Sequence, residues 1–176
     1  MRIAFLILIA VAFASCRTYV DKGRNIKTDF MDFNYFEDSN EFVYKSTVDA
    51  VAGQERYHPN RFSVNLPKKI IDWRVSGNEF YFEYPNKEII YINSGYKNKG
   101  NSVEWVNRET NDDEIYNLLS DHWDKKRYNE NDLNLRYTGR SSKVYTDGKV
   151  TILLYNIKHE NLQRYLTLIA SFKYLN

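Results

Sequence analysis

Cysteine is almost missing from this chain. Of 176 residues one is cysteine (Cys16), three are proline and seven are glycine. A lone thiol excludes an intramolecular disulfide, so no covalent staple holds this fold. The few glycines form no phosphate loop: Gly95 and Gly100 sit in a polar stretch without a following Lys-Ser/Thr. Neither sign of charge is in excess, with 25 Lys and Arg against 23 Asp and Glu. The two signs are mixed along the chain and make no basic stripe, so nucleic acid is not expected as a partner. Histidine occurs three times, as His58, His122 and His159, never in His-x-x-x-His or Glu-x-x-His spacing, so a transition-metal site is not expected. The one long apolar run, Ile3 to Phe13, is 11 residues, short of the ~20 needed to span hydrocarbon as a helix.

That run is also the most informative stretch present. Arg2 supplies a positive start, residues 3–13 carry no polar side chain, and Ala14-Ser15-Cys16 follows. A short cationic region, an apolar region and small residues are the parts of an export signal. Phe13-Ala14-Ser15-Cys16 resembles the lipobox of bacterial lipoproteins, with Phe13 where leucine is commonest. The resemblance implies cleavage before Cys16, a diacylglycerol on its thiol and an acylated amino group. Several acyl chains, at ~0.8 kcal/mol per buried CH₂, make a stable anchor. The competing readings are an ordinary secretory signal and a short uncleaved anchor. Arg17 follows the cysteine, where enteric-type retention at the inner membrane uses Asp, so the resemblance points to the outer membrane. The expected organisation is a signal peptide over residues 1–15, a lipidated N-terminus and flexible tether over 16–30, and one domain over 31–176. The latter two segments together hold 161 residues, enough for a real core.

What is abundant is aromatic: 15 Tyr and 10 Phe. Aromatic and β-branched residues suit sheet. An aromatic binding surface for glycan or peptide is one reading; A/T-rich codons, which raise Tyr, Asn, Lys and Ile together, are the other, favoured by the even spread of Tyr. Strict alternation in Phe62-Ser63-Val64-Asn65-Leu66 predicts a half-buried strand stopped by Pro67. Residues 79–84 and 88–93, separated by Pro85-Asn86-Lys87, predict a hairpin. Asp147-Gly148 predicts a second hairpin through two positive-φ turn residues, its apolar strand over 150–155 central in the sheet. Residues 42–44, 103–106 and 133–137 are weaker strand candidates, and 44–55 is open between helix and loop.

Asn111-x-x-Glu114 resembles a capping box, with Asp112 and Asp113 at the positive end of a helix dipole. Ile115, Leu118, Leu119, His122 and Trp123 recur at helical spacing towards Lys125-Lys126-Arg127. Residues 160–170 read as helix, although 165–169 fit a strand as well. The expected class is α+β, a single domain with an antiparallel sheet and two flanking helices.

The order of elements resembles the PsbP-like fold, named for an extrinsic protein of photosystem II. Phe62-x-Val64-x-Leu66-Pro67, Trp73, Phe80-x-Phe82 and Ser171-Phe172-Lys173 carry the resemblance, over residues 42–175. Most members are non-catalytic binding or assembly modules, and no functional residue carries over.

No constellation predicts chemistry. Cys16 is committed to lipid, and no Gly-x-Ser-x-Gly elbow occurs. In Asp121-His122-x-Asp124 the two acids share an outer helix face while His122 leans to the apolar stripe. Asp112-Asp113-Glu114 is explained by the helix dipole, and Asn129-Glu130-Asn131-Asp132 lacks the Gly and final Glu of a calcium loop. Lys97-x-Lys99 reads as a solvated loop tip. The sequence thus predicts no enzyme, no cofactor and no metal, with Cys16 as the one modification site. Its expected partners are the membrane, through lipid, and an envelope protein. An immunity lipoprotein that neutralises a toxin in the periplasm, and a surface glycan binder, are the alternatives.

Overall fold

The computed structural model describes residues 19–97, 104–128 and 139–175. Two antiparallel sheets face each other across an aromatic core. The strands of the first are β1 (Ile26–Lys27), β2 (Met31–Tyr35), β3 (Asn40–Tyr44), β6 (Phe62–Leu66) and β13 (Lys173–Tyr174), in that spatial order. The second runs β10 (Val106–Glu109), β11 (Arg140–Thr146), β12 (Val150–Lys158), β9 (Glu88–Ser94), β8 (Glu79–Tyr84) and β7 (Asp72–Ser76). A two-stranded hairpin, β4 (Ala50–Ala52) with β5 (Glu55–Tyr57), fills the stretch left open between helix and loop, and turns at Gly53, φ 65°. The α+β class and the single domain hold. The expected single sheet is corrected to three, because alternation reveals which face of a strand is buried but not which strand it pairs with.

The core follows from the period of the strands. Phe62, Val64 and Leu66 point from β6 to the same side as Phe33 of β2 and Phe42 of β3. Phe80, Phe82, Ile90 and Ile92 meet them from the other sheet. Rings mesh across the gap edge to face, Phe62 on Phe80 at 5.0 Å and Phe42 on Phe82 at 5.2 Å. Such pairs are worth ~0.5–1.5 kcal/mol each beyond the area they bury. The opposite face of β8, β9 and β12 carries Tyr81, Ile89, Tyr91, Leu153 and Tyr155, and these would meet water if left bare. Helix α1 (Asp112–Lys126) covers them with Ile115, Leu119 and Trp123. β12 is therefore central and buried on both faces, as its apolar run predicts.

Helix α1 begins as its cap predicts: Asn111 Oδ1 accepts from the Glu114 N–H at 2.9 Å. The return half of the box is replaced, since Glu114 instead takes the Thr110 hydroxyl and Arg108. It ends at Arg127, which is left-handed at φ 53°. Helix α2 (His159–Ile169) settles the ambiguous C-terminal segment as helix, and inserts Tyr165 and Ile169 into the main core. The second hairpin forms at Asp147-Gly148, but only Gly148 has positive φ, at 85°. Asp147 works through its carboxylate, which accepts from the Lys149 and Val150 N–H groups at 2.9 and 2.8 Å.

The tether expectation is corrected from Tyr19 onward. A 3₁₀ turn, Val20–Lys22, docks with the Val20 N–H donating to the Ile70 carbonyl at 2.9 Å. Asp21 is buried and accepts from Asn40 Nδ2 at 2.9 Å and from the Lys69 N–H at 2.7 Å. β1 then pairs with β2. Polar, aperiodic composition suggested a free segment; a single buried carboxylate with two partners pins it. Residues 20–27 therefore pack with the domain expected over 31–176. The strand expected over 133–137 lies outside the described residues.

Candidate functional site

One end of the core opens into a cleft of about 350 Å³. Its walls are the docked N-terminal turn, the Pro67–Lys69 turn, the Pro85–Lys87 loop and the start of α2. Unusual backbone builds it. Lys69 has φ 74°, Asn86 64° and Lys87 58°, and Asn156, bonded to the Pro85–Lys87 loop, has 57°. These are four of the five described non-glycine residues at positive φ, a conformation that L side chains disfavour. Asn156 explains part of this. It bulges β12, so that Ile157 re-enters the core face, and its Nδ2 donates to the Asn86 and Lys87 carbonyls at 3.0 and 3.2 Å. Lys69 is held by its N–H bond to Asp21.

The floor is two tyrosines and a carboxylate. Glu88 accepts from the Tyr165 hydroxyl at 3.0 Å and from the Lys158 N–H at 3.2 Å, with Arg140 Nη1 at 3.6 Å. Burial, then the nearby Glu88 charge and its hydrogen bond, push the Tyr165 hydroxyl well above the tyrosine range. Tyr84 stands beside Tyr165, rings 5.4 Å apart, and is 1% exposed. Burial raises its pKa strongly, with Tyr165, Asp21 and Glu88 adding to the effect, so it remains a donor. Yet among the described residues its hydroxyl has no hydrogen-bond partner. The rim carries Lys68, Lys69, Lys158 and Arg164 against Glu160. Helix α2 has no side-chain cap, and its first-turn residues Glu160 and Asn161 line the cleft. Donors and positive charge thus converge on an opening, which suits an anionic group.

A second polar cluster lies beneath α1. His122 is 2% exposed and stacks flat on Tyr81, rings 5.0 Å apart. Its Nε2 is 3.6 Å from Glu83 Oε2, near enough for attraction and too long for a hydrogen bond. Glu83 also accepts from the Tyr128 hydroxyl and sits 3.3 Å from Lys126 Nζ, which pairs with Asp72. Burial works to raise the Glu83 pKa; His122, Tyr128 and Lys126 outweigh it and hold the carboxyl below its ordinary value. Arg74 on β7, paired with Tyr81 of β8, brings its guanidinium 4.5 Å from the centre of that ring and donates to Asp121. Asp121 and Asp124 are exposed while His122 is buried, as the helical spacing predicts. The three residues therefore do not converge on a substrate-sized opening.

The remaining expectations fall apart from both clusters. Cys16 and residues 129–132 lie outside the described residues. His58 is exposed, with Nδ1 2.7 Å from Asp49 Oδ1, and His159 is exposed at the start of α2. Asp112 and Asp113 stand at the start of α1, where Asn111 caps. Among the described residues no group of three His, Cys, Asp or Glu is placed to hold a metal. Trp123 is buried; Trp73 and Trp105 pack against the main core, Trp105 stacked on Tyr145 at 4.5 Å. Trp73 and Trp105 are half-buried.

Sequence reasoning missed the cleft. Pro67 and Pro85 marked its two turns as chain breaks, but nothing local signals that Lys69 and Asn156 take left-handed backbone. Compared with family models, curated proteins and solved structures, the chain finds no match in any of the three.

Proposed function

We propose that this is a bacterial envelope lipoprotein, anchored through lipid on Cys16, whose domain binds a partner and catalyses no reaction. The observation that carries it is the leader: Arg2, the apolar Ile3 to Phe13, and Ala14-Ser15-Cys16. Among the described residues no helix is long and apolar enough to cross a membrane, so membrane attachment in this reading rests on the acyl chains. Arg17 after the cysteine favours the outer membrane. Kinship with the PsbP-like fold is part of the proposal, carried by Phe62-x-Val64-x-Leu66-Pro67, Trp73, Phe80-x-Phe82 and Ser171-Phe172-Lys173. Support for a binding role comes from the contrast between the two clusters: the open cleft offers donors and charge, whereas His122 and Glu83 are closed under α1.

Metabolic labelling with a fatty acid tests the anchor. Label on the wild-type chain that disappears in Cys16→Ser is expected; label that persists overturns the lipidation. Hydrolytic activity of the purified protein, lost on substituting His122 or Asp124, would overturn the non-catalytic reading.

A further inference from the structure

We propose that the cleft at the start of α2 is a binding site for a phosphate group, carried by an anionic phospholipid headgroup or by a soluble phosphate compound. Three independent features meet there. The first is the Tyr84 hydroxyl, buried in the cleft floor, protonated and, among the described residues, without a partner. A buried donor left unmade is costly, and such groups are retained where something completes them. The second is the uncapped start of α2. Its 11 residues align peptide dipoles with their positive end at the cleft, which the first-turn residues Glu160 and Asn161 line. The His159 N–H is taken by the Gly139 carbonyl. The third is the charge of the rim. Lys68 and Arg164 each spend one donor on a carbonyl, Phe36 at 2.8 Å and Asp38 at 3.0 Å, and an ammonium and a guanidinium have more donors to give. The wall acids have partners of their own: Glu88 accepts from Tyr165 and the Lys158 N–H and lies 3.6 Å from Arg140, and Glu160 lies 3.4 Å from Lys158 Nζ.

Donors from several directions suit a tetrahedral oxyanion better than a planar carboxylate. At about 350 Å³ the cleft exceeds a bare phosphate and leaves space for the group that carries it. Position favours a lipid source, and this point rests on the proposed lipidation. Tyr19 lines the cleft and is three residues from Cys16. Three residues span roughly 10 Å at most. An anchor at Cys16 therefore holds the cleft against the headgroup layer, whose negative potential attracts its cations.

The test uses the full chain. In neutral detergent, inorganic phosphate is titrated against chloride at equal ionic strength, with amide exchange over residues 84–88 and 158–165 as the readout. In a second arm the lipidated protein is placed in phosphatidylcholine nanodiscs with and without phosphatidylglycerol. Protection in either arm is expected, and the arm that gives it identifies the source. Tyr84→Phe and Lys69→Gly keep the fold and should each weaken binding by about tenfold; Arg164→Glu should abolish it. Absence of protection in both arms, or protection unchanged in Tyr84→Phe and Arg164→Glu, overturns the site. Loss of the lipidation reading would remove the nanodisc arm and leave the phosphate titration decisive.

Discussion

Lys69 bears a side chain on backbone that favours glycine. Its φ of 74° costs conformational energy, offset by the bond from its N–H to Asp21. Lys69→Gly keeps that bond and relieves the strain, so urea denaturation should show a gain of about 0.5–1 kcal/mol. Gly95 is the converse case. Its N–H donates to the Lys149 carbonyl at 2.8 Å, and a Cβ would stand 2.5 Å from that same oxygen. Gly95→Ala should cost about 1–3 kcal/mol, since backbone must move to admit the methyl. Glu83 supplies a pH dependence. Its carboxyl titrates below the ordinary value in the folded chain and near that value in the unfolded one. As pH falls the unfolded chain binds the proton first, so this contribution is present above about pH 4.5 and is lost through the lower folded pKa. Glu83→Gln should flatten the acid limb of the stability profile measured by denaturant midpoints.

Elements show where sequence pattern carries information and where it stops. The start of α1 is legible to the residue, because a cap is local chemistry: Asn111→Ala should cost about 1 kcal/mol, read as a lower midpoint of thermal melting. Strands β6 and β8 are legible for the same reason, their inward sets Phe62, Val64, Leu66 and Phe80, Phe82, Tyr84 falling at period two. Their assignment to different sheets is not, since pairing partners are chosen by the whole chain. The Asp147-Gly148 hairpin is right in place and wrong in device: a carboxylate bonded to two N–H groups does what a second positive φ was expected to do. The cleft is the least legible element. It exists because Asn156, Lys69 and the Pro85–Lys87 loop meet from distant parts of the chain, and Asn156 Nδ2 reaches residues 70 and 69 positions away.

At the scale of the molecule, layers explain composition. One sheet needs aromatic side chains on the core face; the other needs them on both faces, because α1 covers its back. That arrangement places much of the Tyr and Phe in the two core clusters. The N-terminal turn belongs to this architecture. Asp21→Ala should leave Asn40 Nδ2 without one of its acceptors and the Lys69 N–H without its partner, release residues 19–24, and appear as faster proteolysis there.

The last described residues have a consequence for how the chain folds in time. β13 completes the first sheet by pairing Lys173 and Tyr174 with Ser63 and Phe62, and the Ser171 hydroxyl accepts from the Asn65 N–H across 106 positions. Contacts so distant in sequence make loop closure expensive, and folding in milliseconds to seconds is the expected regime. A chain leaving the ribosome cannot finish this sheet until Lys173 and Tyr174 emerge. Until then β6 presents an unpaired edge, and a chain cut before Lys173 keeps that edge for good.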